Sequence, residues 1–240
     1  MLNATYSWSN RTIFGVDAGL RQAFSGNFIF LGAGVKAGPV TVKAFSYLLD
    51  QDETPRLNMS SQTYGVRATA SLPVSKMVKV NLAGSYAHQS DYQQNPINYS
   101  ADYYMGEAAL AVSNFTLTAN YEVLGSDKGG FAFQTPLATG HKFQGWADLF
   151  LVTPAKGVED LNVGLSAKFP KQKLLPGLAM AVIYHDFRSD VGSVKYGTEW
   201  DAQVGFKAGP ASALIKYADY NAKLFGVDTK KLWLELDWAI

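Results

Sequence analysis

Along most of this chain apolar residues recur at every second position, in runs longer than the strands of an ordinary soluble sheet. The final segment, KLWLELDWAI, shows the pattern. Leu232, Leu234, Leu236, Trp238 and Ile240 share one side of an extended strand, and Trp233, Glu235, Asp237 and Ala239 share the other. Side chains alternate faces along a strand, so such a segment needs an apolar medium on one side and a wet one on the other. The same separation recurs upstream. Val78, Val80, Leu82, Gly84 and Tyr86 oppose Lys79, Asn81, Ala83 and Ser85. Leu161, Val163, Leu165, Ala167 and Phe169 oppose Asn162, Gly164, Ser166 and Lys168. Helical periodicity is nearly absent.

The alternation predicts twelve strands, over 2–9, 27–37, 39–50, 62–74, 76–92, 99–113, 115–126, 158–169, 177–188, 196–208, 211–223 and 230–240. Most exceed the roughly 5–6 residues usual in soluble sheets, and they suit the roughly 9–11 that a tilted membrane-crossing strand needs. Short turns at 37–39, 73–76, 113–114 and 208–210 alternate with longer connections at 10–26, 51–61, 93–98, 127–157, 189–195 and 224–229. The turn at 170–176 is longer than the other short ones. This rhythm predicts an all-β fold of one domain, 1–240: an antiparallel up-and-down transmembrane β-barrel, with tight turns at one end and loops at the other. An even strand count brings residues 2–9 beside 230–240 to close the cylinder. A soluble β-sandwich or lipocalin-like barrel, with the apolar face inward, is the alternative.

The bulk numbers bound the function. Hydrophobic residues make up 48% of the chain, yet no run approaches the roughly 20 apolar residues of a membrane helix. A net charge of +1 argues against a nucleic-acid surface. The absence of cysteine removes disulfides, thiolate metal sites and a Cys nucleophile. The opening MLNATYSWSN has neither the basic start nor the apolar core of a secretory leader.

If the apolar faces meet lipid, the opposite set lines the interior. That set contains Lys36, Lys43, Arg67, Lys79, Lys168, Lys207 and Lys216 as cations, and Glu107, Glu122, Glu199, Asp201, Glu235 and Asp237 as anions. The reverse assignment would set many charges against lipid, at about 2–4 kcal/mol for each Lys or Arg at the midplane. Tyr6, Trp8, Tyr64, Tyr86, Tyr104, Tyr121, Phe169, Tyr184, Trp200, Tyr217 and Trp238 stand near strand ends, where a barrel carries its aromatic girdles. The connection 127–157 is too apolar for a solvated loop. It is expected to fold into the mouth or lumen, with Phe131, Phe133, Phe143 and Trp146 forming a constriction and a short helix near 145–151.

Catalysis has little support in the spacing. His88, His141 and His185 lie far apart, none in a recognisable Ser/His/Asp or metal-ligand pattern, and His185 in YHDF reads as a rim residue beside Asp186. Twelve strands would also suit an outer-membrane phospholipase, but no His–Ser motif on a lipid-facing wall is visible. The segments YLLDQD, SQTYGVRATAS, SADYYMGEAAL, NYEVLGSDKGGFAFQTPLATGHKFQGWADLFLVTPAKGVEDL, YHDF, KYADY and DTKKLWLEL resemble the alginate-export family of outer-membrane porins, in its C-terminal part. The resemblance runs from about residue 40 onward and is most specific over 121–161. It implies a shortened or engineered relative of those channels. Of the arginine-rich lumen that an anionic polysaccharide would call for, only Arg67 is present. The expectation is a monomeric, non-enzymatic porin of the bacterial outer membrane. It would sit in a lipid bilayer or detergent, pass small hydrophilic solutes or ions, and use no cofactor, metal or nucleic acid. The alternatives are a barrel scaffold with an occluded lumen and a soluble β-barrel binder.

Overall fold

The computed structural model describes residues 1–11, 23–138 and 143–238. Twelve long strands form one antiparallel sheet: β1 (Leu2–Arg11), β2 (Ala23–Ala37), β3 (Val40–Gln51), β4 (Ser61–Pro73), β5 (Val78–Asp91), β6 (Ser100–Val112), β7 (Phe115–Leu124), β10 (Val158–Phe169), β11 (Leu178–Arg188), β12 (Lys195–Ala208), β13 (Ala211–Ala222) and β14 (Thr229–Trp238). β8 (Ser126–Asp127) and β9 (Phe131–Ala132) form a small hairpin of their own. The long strands pair in chain order from β1 to β14, without crossovers. β1 and β14 are the outermost strands of that order, and no ladder joins them among the described residues. Strand lengths of 10 to 15 residues suit a tilted membrane crossing.

Tight reversals gather at one end. Gly38 (φ +57°) and Gly209 (φ +64°) supply the left-handed backbone there, and Ser113 adopts φ 54° in the β6–β7 reversal. The other end carries the longer connections, including a 3-10 turn at Thr54–Met59 with Pro55 in its first turn. Among the described residues no helix is long and apolar enough to cross a membrane.

Register fixes the faces, because residues opposed across a ladder point the same way. One face presents Val66, Leu82, Leu110, Leu117, Val163, Leu165, Val182, Ile215 and Leu234, all exposed. A residue type that normally seeks the interior lies open along strand after strand, as a lipid-facing wall requires. The rings expected at the girdles, among them Tyr64, Tyr86, Tyr104, Tyr121, Trp200 and Trp238, are exposed on this same face. Ile240 lies outside the described residues.

The core lies on the opposite face, at the long-connection end. Phe133, Trp146, Ala147 and Phe150 from the 125–157 segment pack there with Tyr99, Leu124, Val158, Phe187, Tyr196 and Tyr220. The segment's polar contacts run from β5 to β14, which a flat sheet at about 4.8 Å per strand would hold more than 30 Å apart. The segment therefore lies across the polar face from β5 to β14.

Candidate functional site: the polar face and the segment packed on it

The ladders put every charge predicted for the interior on one face. Lys43 stands opposite Arg67 across β3–β4, and Lys36 lies one step nearer the turn, opposite Thr41. Lys79, Glu107 and Glu122 follow on the same side through β5, β6 and β7. Lys168, Asp201 and Glu199, then Lys207 and Lys216, and finally Glu235 and Asp237 continue it through β10 to β14. Lys43, Phe45 and Tyr47 share this face on β3, as Val40, Val42 and Ala44 on the reverse side require.

Three of these acidic residues lie buried beneath the 125–157 segment, and each accepts at least one hydrogen bond there. Glu122 accepts from the Tyr103 hydroxyl at 2.6 Å and from Gln144 Nε2 at 2.6 Å. Glu199 accepts from the Ala147 amide at 2.7 Å, and Asp201 from the Trp146 amide at 3.2 Å. Backbone amides donated to carboxylates give charge-assisted bonds, stronger than neutral ones. Gly145 is required by this approach. Its φ is +81°, and a Cβ there would stand 2.5 Å from Glu199 Oε2. Gln144 and Asp148 also adopt positive φ, 52° and 57°, so the turn is strained around its anchor.

Further anchors flank this one. Gln89, buried on β5, donates from Nε2 to Thr63 Oγ1 (3.0 Å) and to the Gln134 carbonyl (3.0 Å), while its Oε1 accepts from the Gln134 amide (2.7 Å) and Tyr99 hydroxyl (2.9 Å). Burial pushes the Tyr99 hydroxyl well above its ordinary titration range, so it remains a neutral donor. Gln134 donates in turn to the Thr153 carbonyl at 3.0 Å and closes the segment on itself. Lys216 Nζ lies 4.5 Å from the Trp146 ring centre and 5.4 Å from that of Trp233, a cation–π clamp. Lys231 Nζ reaches Asp148 at 3.3 Å.

Of the aromatics predicted to constrict, Phe133 and Trp146 are buried. Phe131 packs on Tyr99 with ring centres 4.6 Å apart, and Phe133 on Tyr103 at 5.5 Å. Phe143 is 48% exposed and borders a cavity of about 430 Å³ between this segment and the 3-10 turn, beside Arg56, Met59 and Gln144.

Three expectations need correction. Residues 145–151 form turns and bends, not a helix. The backbone amides a helix would turn inward are used on Glu199 and Asp201 instead. His185 is not a rim residue beside Asp186. It is buried on the polar face, with Nδ1 2.9 Å from Asp160 and Nε2 3.5 Å from Asp201, whereas Asp186 points the other way to Lys195 and Arg188. Asp160 itself was readable, since it continues the polar series of β10 two residues before Asn162. The third concerns His88. The β5–β6 ladder brings it beside Asp102 and Ser100, a meeting that separations of fourteen and twelve residues conceal in the sequence. His141 lies outside the described residues.

No protein-family model matches the sequence, and no curated relative matches it. Solved structures do. The outer membrane protein OprD from Pseudomonas aeruginosa is similar over 99% of this chain and 63% of its own, with a TM-score of 0.68 and 13% identity. OccAB4 from Acinetobacter baumannii gives a TM-score of 0.67 at 14% identity, over 92% of this chain and 55% of its own. Pseudomonas aeruginosa OpdQ gives 0.65 at 15%, over 99% and 63%. The likeness is one of fold, that of outer-membrane β-barrels, and the chain spans roughly three fifths of those proteins' length. The barrel implied by the alginate-export resemblance stands. The family name does not, because the matched structures are OprD and Occ proteins.

Proposed function

We propose that the chain forms an outer-membrane channel through which small hydrophilic solutes or ions diffuse passively. The single observation that carries this reading is the separation of the two faces. Over the middle of the long strands one side is apolar, with Val66, Leu82, Leu117, Leu165 and Leu234 exposed, and charges of both signs lie on the other. Such an apolar side is at its free-energy minimum in lipid. The charged side opposite it is at its minimum around water. The fold of the matched outer-membrane proteins agrees with this orientation.

In this reading Lys36, Lys43, Arg67, Lys79, Lys168, Lys207, Glu107, Glu235 and Asp237 line a hydrated path, away from the buried anchor of the segment. Glu122, Glu199, Asp201 and Lys216 hold that segment in place, and Phe131, Phe133, Phe143 and Trp146 narrow the passage. Selection then follows from size and from the rings of fixed charge. No chemistry on the solute and no cofactor is required. Swelling of vesicles loaded with the folded protein, in a series of sugars of increasing size, tests this. Swelling rates should fall steeply with solute size. Rates equal to those of protein-free vesicles would overturn the channel and favour a scaffold with a filled interior.

A further inference from the structure

Near the long-connection end the outward face carries several polar groups, and one constellation on β5 and β6 is of a kind that a channel does not use. β5 and β6 place Ser100 opposite Ser90 and His88 opposite Asp102, all on the outward face near the long-connection end. His88 Nδ1 lies 2.8 Å from Asp102 Oδ1, and the Tyr86 hydroxyl donates to that same oxygen at 2.8 Å. His88 Nε2 lies 3.4 Å from Ser100 Oγ. The carboxylate favours the tautomer with hydrogen on Nδ1, which leaves the Nε2 lone pair facing the serine hydroxyl. A nucleophile, a base and a group orienting the base stand in sequence within reach of one another. The site is open, with His88 and Asp102 side chains 46% and 52% exposed. Tyr64 stands beside His88 across the β4–β5 ladder, and Tyr86 and Tyr104 share the face just below, rings of the kind that sit among headgroups where lipid esters begin.

We propose that Ser100, His88 and Asp102 form an acyl-transfer site directed at the membrane, whose substrates are carboxylic esters of lipids. Ser100 Oγ bonds to the ester carbonyl carbon while its proton passes to His88 Nε2. The carbon–oxygen bond to the alcohol then breaks, and the alcohol leaves with that proton. Water, deprotonated by His88, attacks the acyl-serine, releases the fatty acid and restores the serine. Asp102 holds the ring and its charge. The Ser100 amide donates to Asp127 Oδ2 at 3.2 Å, so it is not available to the oxyanion. Loss of one such donor slows turnover by roughly 10²–10³-fold, which makes acylation of the serine a better readout than turnover. The proposal rests on the outward face meeting lipid and not on conduction.

The test uses the full chain folded in detergent micelles, with folding of every variant checked by heat-modifiable electrophoretic mobility. A fluorophosphonate probe reacts with activated serines. It should give a single adduct, mapped to Ser100 by peptide mass, that is absent in Ser100→Ala and forms at least roughly tenfold more slowly in His88→Asn. Release of nitrophenol from p-nitrophenyl octanoate should stop on labelling. No adduct on folded protein, an adduct elsewhere, or an unchanged rate in His88→Asn would each overturn the site. Protein that conducts but does not label refutes this site alone, and protein that labels but does not conduct refutes the channel alone.

Discussion

Gln89 shows how one side chain holds a mobile-length connection on a sheet. Its amide serves four partners at once: Thr63, the Tyr99 hydroxyl and both backbone groups of Gln134. Gln89→Leu keeps the volume and removes every bond, leaving buried donors and acceptors unpaired at about 1–3 kcal/mol each. The expected outcome is protease cleavage within 125–157 in a protein whose barrel still shifts on heating. Unchanged resistance would show that the aromatic packing alone secures the segment. Gly145 gives a second residue-scale prediction. Gly145→Ala meets both a φ of +81° and a Glu199 oxygen at 2.5 Å, so it should also loosen the segment, whereas Gly205→Ala on β12, with ordinary contacts at 3.5 Å, should not. Hydrogen–deuterium exchange of the Ala147 amide distinguishes the two variants.

At the scale of the element, face decides tolerance. Leu117 points outward and Thr118 inward on β7, as their ladder partners Leu165 and Gly164 require. Leu117→Lys should cost about 2–4 kcal/mol if it lies near the midplane, read as a lower folding yield into vesicles. Thr118→Lys, one residue away, should fold like the parent. Equal yields would mean that the outward face does not meet lipid. This contrast was legible in the sequence, because a period of two sustained over ten or more residues admits one register. All twelve long strands lie within a few residues of their predicted limits for that reason. The 125–157 segment was legible only as apolar and misplaced. Its periodicity is irregular, and its shape is set by distant carboxylates on β7 and β12 that no local pattern announces. His185 was misread for a related reason. The adjacent Asp186 is its neighbour in sequence, but strand geometry sends the two to opposite faces. Asp160 and Lys231 needed only the alternation extended by two residues.

The whole molecule joins these scales: an apolar face, a charged face, and one segment folded back onto the charged one. Removing 131–151 should leave the heat-modifiable barrel intact, because the described residues among them belong to no long-strand ladder, and should enlarge the passage. The sheet would lose the cover of Glu122, Glu199 and Asp201, which water can then hydrate. The most direct test is the conductance of the folded, heat-modifiable protein in a planar bilayer. Discrete steps are predicted, larger in the deletion variant than in the intact chain. Silence from both, under conditions where the protein is inserted and folded, would contradict the channel.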